Sequence, residues 1–350
     1  MKAMVYYGPG ELRLEERPAP RATADTMVVR IEACAICGTD LKLFTVGNPR
    51  CKPPRVIGHE LVGEVVEVGR AVSGFAVGDR VTFATSIACN RCELCGRGLQ
   101  NLCPELKCIS YDYDGGFQQL MEAPAAAIAG GNAIAVPDGV GVEAALSEPL
   151  SCVVNAQKIA GVGPGDTVVV LSAGPLGCLH AECAKAFGAA RVIVTEVAPA
   201  RLALARQLDG VEVLDVSSGD AVAMVREATG GRGADVVMAV APVAEAQEQA
   251  IEMVRKGGAV NLFGSLPKEA PMLRVNARTV HYGQIAITGA SDSRPCDVQD
   301  ALGLLAAGEI NTEVIITHRL PLERLVEGIE MMGRREGLKI LVMPNGEAAS

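Results

Sequence analysis

Residues 167–187 read TVVVLSAGPLGCLHAECAKAF. An apolar, β-branched run enters a Ser-Ala-Gly-Pro turn, and an Ala-rich amphipathic stretch follows, which is the order strand, turn, helix. The same alternation continues through RVIVTE, PARLALARQL, VEVLDV, DAVAMVREAT, ADVVMAV, AEAQEQAIEMV and AVNLFG. Repeated strand–helix units of this kind imply a parallel sheet with helices on both faces, an α/β doubly wound domain.

The turn itself, Ser172-Ala173-Gly174-Pro175-Leu176-Gly177, is G-x-G-x-x-G with serine in place of the first glycine. In such a fingerprint the second glycine lets a pyrophosphate approach the backbone, and the anion sits at the helix N-terminus. Gly174, Pro175, Leu176 and Gly177 are therefore candidate cofactor-binding residues, with Ser172 fitting the turn if its φ stays negative. Taken alone, so damaged a fingerprint is equally an ordinary strand–helix turn. The next strand ends in Glu196, 19 positions after Gly177, where an acid accepts hydrogen bonds from the adenosine ribose. That predicts NAD over NADP, since a 2′-phosphate would meet a like charge, with Arg201 close enough to relieve part of the repulsion. The alternative for Glu196 is a solvated charge at a strand end.

Working outward, residues 1 to about 150 read as short strands between Gly/Pro turns: MKAMVYY, ELRLEER, TMVVRIEACAI, LVGEVVEVG and DRVTFAT. A tail from about 290 gives helix, strand, helix, strand and could extend either domain. At 350 residues the chain suits two cores. A formal charge of −9 and the lack of a basic run disfavour nucleic acid. The N-terminus has no signal-like apolar stretch and no later segment is long enough to span a membrane, so a cytoplasmic protein without a membrane partner is expected. Its twelve cysteines then read as thiols or metal ligands, not disulfides.

Four of them, Cys89, Cys92, Cys95 and Cys103, fall at C-x2-C-x2-C-x7-C. Four thiolates complete a tetrahedral zinc shell and leave no position for substrate, so a structural zinc lobe over about 88–104 is expected. An iron–sulfur centre has a similar thiolate requirement, and spacing does not separate the two. A reacting metal would need mixed ligands and an open position, and two stretches offer them: ACAICGTD with Cys37, and VIGHELVGEV with His59 and Glu60. Each residue by itself is equally a buried thiol or a hydrogen-bonded core histidine.

Together these stretches resemble the zinc-dependent medium-chain dehydrogenase/reductase family. Its G-H-E-x-x-G-x-V signature stands here as Gly58-His59-Glu60-Leu61-Val62-Gly63-Glu64-Val65, with the C-G-T-D turn, the four-cysteine lobe, G-D-R-V at 78–81 and G-G-F at 115–117. Ser147-Glu148-Pro149-Leu150 is similar to the sorbitol and L-threonine dehydrogenase branch. The resemblance implies a GroES-like catalytic domain over 1–155 and 291–350, and a Rossmann NAD-binding domain over 156–290. It implies two zinc ions per chain, the catalytic one held by Cys37, His59 and Glu148, with Glu60 able to enter the shell. Asp40 would orient His59 by accepting its other ring N–H, and Val240, Phe263 and Gly264 would face the nicotinamide.

The implied reaction transfers hydride from a secondary alcohol (polyol, cyclitol or sugar) to NAD, giving a ketone and NADH. Thr39 is the expected first proton acceptor. Lys42 stands where many relatives carry a relay histidine, so it either passes the proton on, holds a polar substrate or is a solvated charge. Phe44, Asn48 and Arg50 are expected near the pocket mouth, and a homo-oligomer, dimer or tetramer, is implied. L-threonine or a simple secondary alcohol are alternative substrates. A non-catalytic zinc or nucleotide-binding protein is the alternative of another class.

Overall fold

Val168, Val169 and Val170 have no exposed surface, and their strand, Thr167–Leu171, lies inside a six-stranded sheet. The computed structural model describes residues 1–346. The sheet runs Val211–Asp215, Arg191–Glu196, Thr167–Leu171, Ala234–Ala239, Val254–Leu262, Ala286–Gly289, every neighbour parallel. In chain order this is 3-2-1-4-5-6, the doubly wound arrangement whose direction reverses beside the first strand. The helix Pro175–Ala186 opens at that reversal, directly after the glycine-rich turn.

The other unit is built around the strand Met27–Ala35, which pairs antiparallel with Glu60–Val68, Leu120–Ala123 and Lys339–Met343. It belongs to a seven-stranded sheet, and a separate sheet joins Glu11–Glu16, Lys2–Gly8 and Arg55–Val56. Aromatic residues are scarce in this core, so Tyr6, Phe83 and Phe117 are packed out by Met27, Ile31, Ile57, Leu61 and Met121. Each such fully buried side chain contributes about 1.5–3 kcal/mol relative to exposure.

The compact units are residues 1–151, 292–307 and 316–350, and residues 152–291 with 308–315. The short stretch 308–315, expected with the catalytic domain, instead groups with the nucleotide-type sheet: the Asn311 amide donates to Glu182 Oε2 on the helix Pro175–Ala186 at 2.9 Å. Two local expectations, the C-G-T-D turn and the strand at residues 313–320 in the tail, need correction, and the Ser147–Leu150 stretch gains a defined structure. The C-G-T-D turn is the start of a helix, Gly38–Val46. The Ser147-Glu148-Pro149-Leu150 stretch opens another, Ser147–Ala160, with proline in the first turn, where its missing N–H costs nothing. The strand expected at EVIITHRL begins only at Ile316, after a single helical turn, Thr312–Ile315. No helix among the described residues is long and apolar enough to cross a membrane.

Candidate active site and metal centres

The four-cysteine loop is closed at its base by the antiparallel pair Ser86–Ile87 and Lys107–Cys108. Inside it, Cys92 precedes a one-turn helix, Glu93–Gly96, that brings Cys95 back toward it. The Sγ atoms stand 3.4 Å apart for Cys92 and Cys95, 3.9 Å for Cys92 and Cys103 and 4.0 Å for Cys89 and Cys95. A tetrahedral shell with Zn–S near 2.3 Å places sulfurs about 3.8 Å apart, so one zinc fits this set. Thiolates spread over several irons would stand farther apart. The amides of Cys89 and Glu105 both donate to Cys103 Sγ at 3.4 Å.

The second cluster is assembled from distant elements. Cys37 precedes the helix Gly38–Val46, and His59 and Glu60 lead into the strand Glu60–Val68. The turn before them needs Gly58: its φ is +95°, and an added Cβ would lie 2.8 Å from both Cys34 Sγ and the Phe117 ring. One ligand atom each from Cys37, His59 and Glu60 lie within 4.8 Å of one another. Glu148 is not within that spacing of all three, but its charge acts on His59.

The electrostatics of this cluster suit a cation. Burial opposes a charged imidazole, yet Cys37, hydrogen-bonded to His59, and the carboxylates of Glu148 and Asp40 outweigh it and hold the His59 pKa well above its usual value. Burial lifts the Glu148 carboxyl to about 7 and that of Asp40 to about 6. A thiol and an imidazole, both half-buried, gathered with buried carboxylates are the donor set of an open zinc site.

Asp40 departs from expectation. Its Oδ2 accepts the Cys37 amide at 2.9 Å, closing the first turn of the helix, and its Oδ1 has no hydrogen-bond partner. Capping turns the carboxylate toward the backbone, so its influence on His59 is through charge and not through the expected ring N–H bond. Glu60 is bound through both oxygens by Lys339 Nζ, with the side chains 1% and 3% exposed. Sequence reading missed Lys339. The available signal was a lone cation in the apolar final strand, LKILVM.

Thr39 is half-buried and Lys42 exposed, on the same helix and one turn apart. Phe44, half-buried, packs against the core of the first unit. Asn48 and Arg50 converge on Tyr111: Asn48 Nδ2 lies 3.4 Å from its hydroxyl, and the Arg50 guanidinium 5.5 Å from its ring centre. Near Glu148, the Thr85 hydroxyl donates to Oε1 at 3.4 Å, and the Asp292 carboxylate stands within 4.8 Å and accepts from Ser86. Neither Ser86 nor Asp292 carries a motif that sequence could have singled out.

In the other unit, Gly177 is required by close packing, since a Cβ there would fall 1.8 Å from the Ser172 carbonyl oxygen. Gly174 caps the helix, and the Arg201 guanidinium lies 3.5 Å from where a Gly174 Cβ would be. Ser172 contradicts the expectation of a negative φ: it sits at +102°, in glycine-favouring space. Glu196 is nearly buried, and burial alone would raise its pKa. The amides of Ala198, Val197 and Ala173, helped by Arg201, more than compensate and keep it below the usual value. It is not the solvated strand-end charge of the alternative reading. Val240 and Gly264 meet where two strands end, a Gly264 Cβ being 2.5 Å from the Val240 carbonyl oxygen, and Gln247 donates to Gly264 O at 2.6 Å. Phe263 packs edge-on against His180, ring centres 4.6 Å apart.

Residues 23–137 match the alcohol dehydrogenase GroES-like domain, and residues 175–307 the zinc-binding dehydrogenase domain. The chain is 31% identical to a sorbitol dehydrogenase of Bacillus subtilis over 99% of its own length and 98% of the relative's. To an L-threonine 3-dehydrogenase of Bacillus licheniformis it is 32% identical, over 98% and 99% of the two chains. Among solved structures, a putative zinc-binding dehydrogenase from Sinorhizobium meliloti bound to NADP superimposes with a TM-score of 0.89 at 30% identity, covering 98% and 99% of the two chains.

Proposed function

The chain belongs to the zinc-dependent medium-chain dehydrogenase/reductase family, and from that premise we propose that it oxidises a polyol, cyclitol or sugar at a secondary alcohol with NAD, using Cys37, His59, Glu60 and Glu148 around one zinc. The observation that carries this reading is the gathering of Cys37, His59 and Glu60 from two distant stretches to within 4.8 Å. When bound, zinc polarises the alcohol oxygen and the nicotinamide accepts the hydride.

The protein's own residues have four tasks. Cys37 and His59 hold the metal. Glu60, held through both oxygens by Lys339, would yield or take a position at the metal by exchanging one of those bonds as substrate comes and goes. The Thr39 hydroxyl takes the alcohol proton while releasing its own toward water, on the side of the helix where Lys42 is exposed. Glu148 and Asp292 face the same neighbourhood with acceptors for the hydroxyl groups of a polyol.

NAD is preferred over NADP because Glu196, held ionised by backbone amides, opposes a 2′-phosphate. A homo-oligomer is supported by the strand Ala286–Gly289, which ends the six-stranded sheet with one edge unpaired and leaves Ile287 38% exposed, with Met272 79% exposed nearby in sequence. Light scattering tests the assembly. Metal analysis with a panel of polyols, cyclitols, sugar acids and threonine tests the activity: two zinc ions per chain and NADH formation with one polyol class are expected, and one zinc without turnover refutes it.

A further inference from the structure

Ser172 pays a backbone penalty that a glycine in its place would avoid. At φ +102° an L-residue is strained, whereas glycine adopts this region freely. The conformation is imposed from both sides. The Ser172 amide donates to Thr195 O at 2.9 Å, tying it to the neighbouring strand. Its carbonyl oxygen is pressed against Gly177, where no Cβ fits.

The side chain offers what glycine lacks. Ser172 Oγ accepts the Gly174 amide at 3.3 Å and donates to Glu196 Oε2 at 3.4 Å. The same Oε2 takes the Ala173 amide at 2.8 Å, while Oε1 takes those of Val197 and Ala198 at 2.8 and 3.0 Å. One hydroxyl thus joins the residue where pyrophosphate would approach to the acid that would meet the ribose.

We propose that Ser172 is a positioning residue for the dinucleotide: its hydroxyl couples the Gly174 turn to Glu196 and presents both to the cofactor already in place. This rests on the cofactor reading of the turn given above. Both bonds are long, so the expected contribution is that of one ordinary hydrogen bond, about fivefold in affinity.

The test compares the zinc-loaded wild-type chain with Ser172→Gly and Ser172→Ala, by calorimetric titration of NADH and by thermal melting. Both variants should bind NADH about fivefold more weakly, with KM for NAD raised by a similar factor and kcat and the alcohol KM unchanged within about twofold. Both variants lose the hydroxyl and only glycine relieves the strain, so Ser172→Gly should melt above Ser172→Ala. A Ser172→Gly protein that binds NADH as tightly as wild type, or more tightly, overturns the proposal. If the wild-type chain binds neither NADH nor NADPH, the cofactor reading itself falls, and this inference with it.

Discussion

The two metal centres are built in opposite ways. All four sulfurs of the lobe come from fifteen consecutive residues, 89–103, pinched off by one two-stranded pair. The other centre draws on Cys37, His59, Glu60 and Glu148, and on Lys339 from the last strand. A closed shell made from one loop can stiffen that loop but offers no place to a substrate. An incomplete shell made from several elements leaves a position free and depends on all of them being held.

That contrast breaks most sharply under serine substitution. Cys37→Ser should lower kcat by on the order of 10^4-fold, about 5 kcal/mol, by weakening the Lewis acid, while melting and NADH affinity stay close to wild type. Cys95→Ser should do the reverse, lowering the melting temperature and zinc content by one ion with kcat per folded molecule retained. Equal loss of activity in both would erase the division between a catalytic and a structural ion.

Lys339 tests whether the distributed centre needs its remote support. Lys339→Met leaves the Glu60 carboxylate buried without its partner, which should cost about 3 kcal/mol of stability. Denaturant melts of the zinc-loaded protein measure it, and an unchanged midpoint would show that zinc alone satisfies Glu60. Smaller again is Thr39→Val, which keeps the shape of the side chain and removes the hydroxyl. A loss of roughly 10^2-fold in kcat, with KM for NAD unchanged, is expected if Thr39 takes the alcohol proton.

The same contrast explains what could be read in advance. The lobe was legible because ligand spacing within one loop is itself the geometry. The nucleotide-type sheet was legible because buried parallel strands advertise themselves as apolar runs such as TVVVL. Cys37 and His59 were legible only through resemblance, since 22 positions separate them and nothing local distinguishes either from a core residue. Lys339 reaches Glu60 through strand pairing, and Ser86 meets Asp292, 206 positions away, through a chain return that no local pattern encodes. Ser172 defeated a local rule, because the pressure that sets its φ comes from Gly177 and from the neighbouring strand.

His180 supplies the counterpart to His59 and the smallest of the effects. Both are histidines in low-dielectric surroundings, but anions surround His59 and none is paired with His180, whose Nε2 has no hydrogen-bond partner. Burial pushes its pKa down to about 3. The fold therefore holds this imidazole neutral while the unfolded chain takes up a proton below about 6.5. Its contribution to stability is complete above that pH and is lost as the pH falls from about 6.5 toward 3, at about 1.4 kcal/mol per unit. Between pH 7 and 5 the loss is about 2 kcal/mol. His180→Leu removes it at the loss of the contact between Gln157 Nε2 and His180 Nδ1 at 3.3 Å, while the Gln157 amide still donates to the backbone carbonyl of residue 180 at 2.6 Å. Melts of the two proteins across this range share every other titration, the zinc site included, so their difference isolates His180. Parallel curves would mean that this imidazole reaches water or an anion, and that surrounding charge does not distinguish the two histidines.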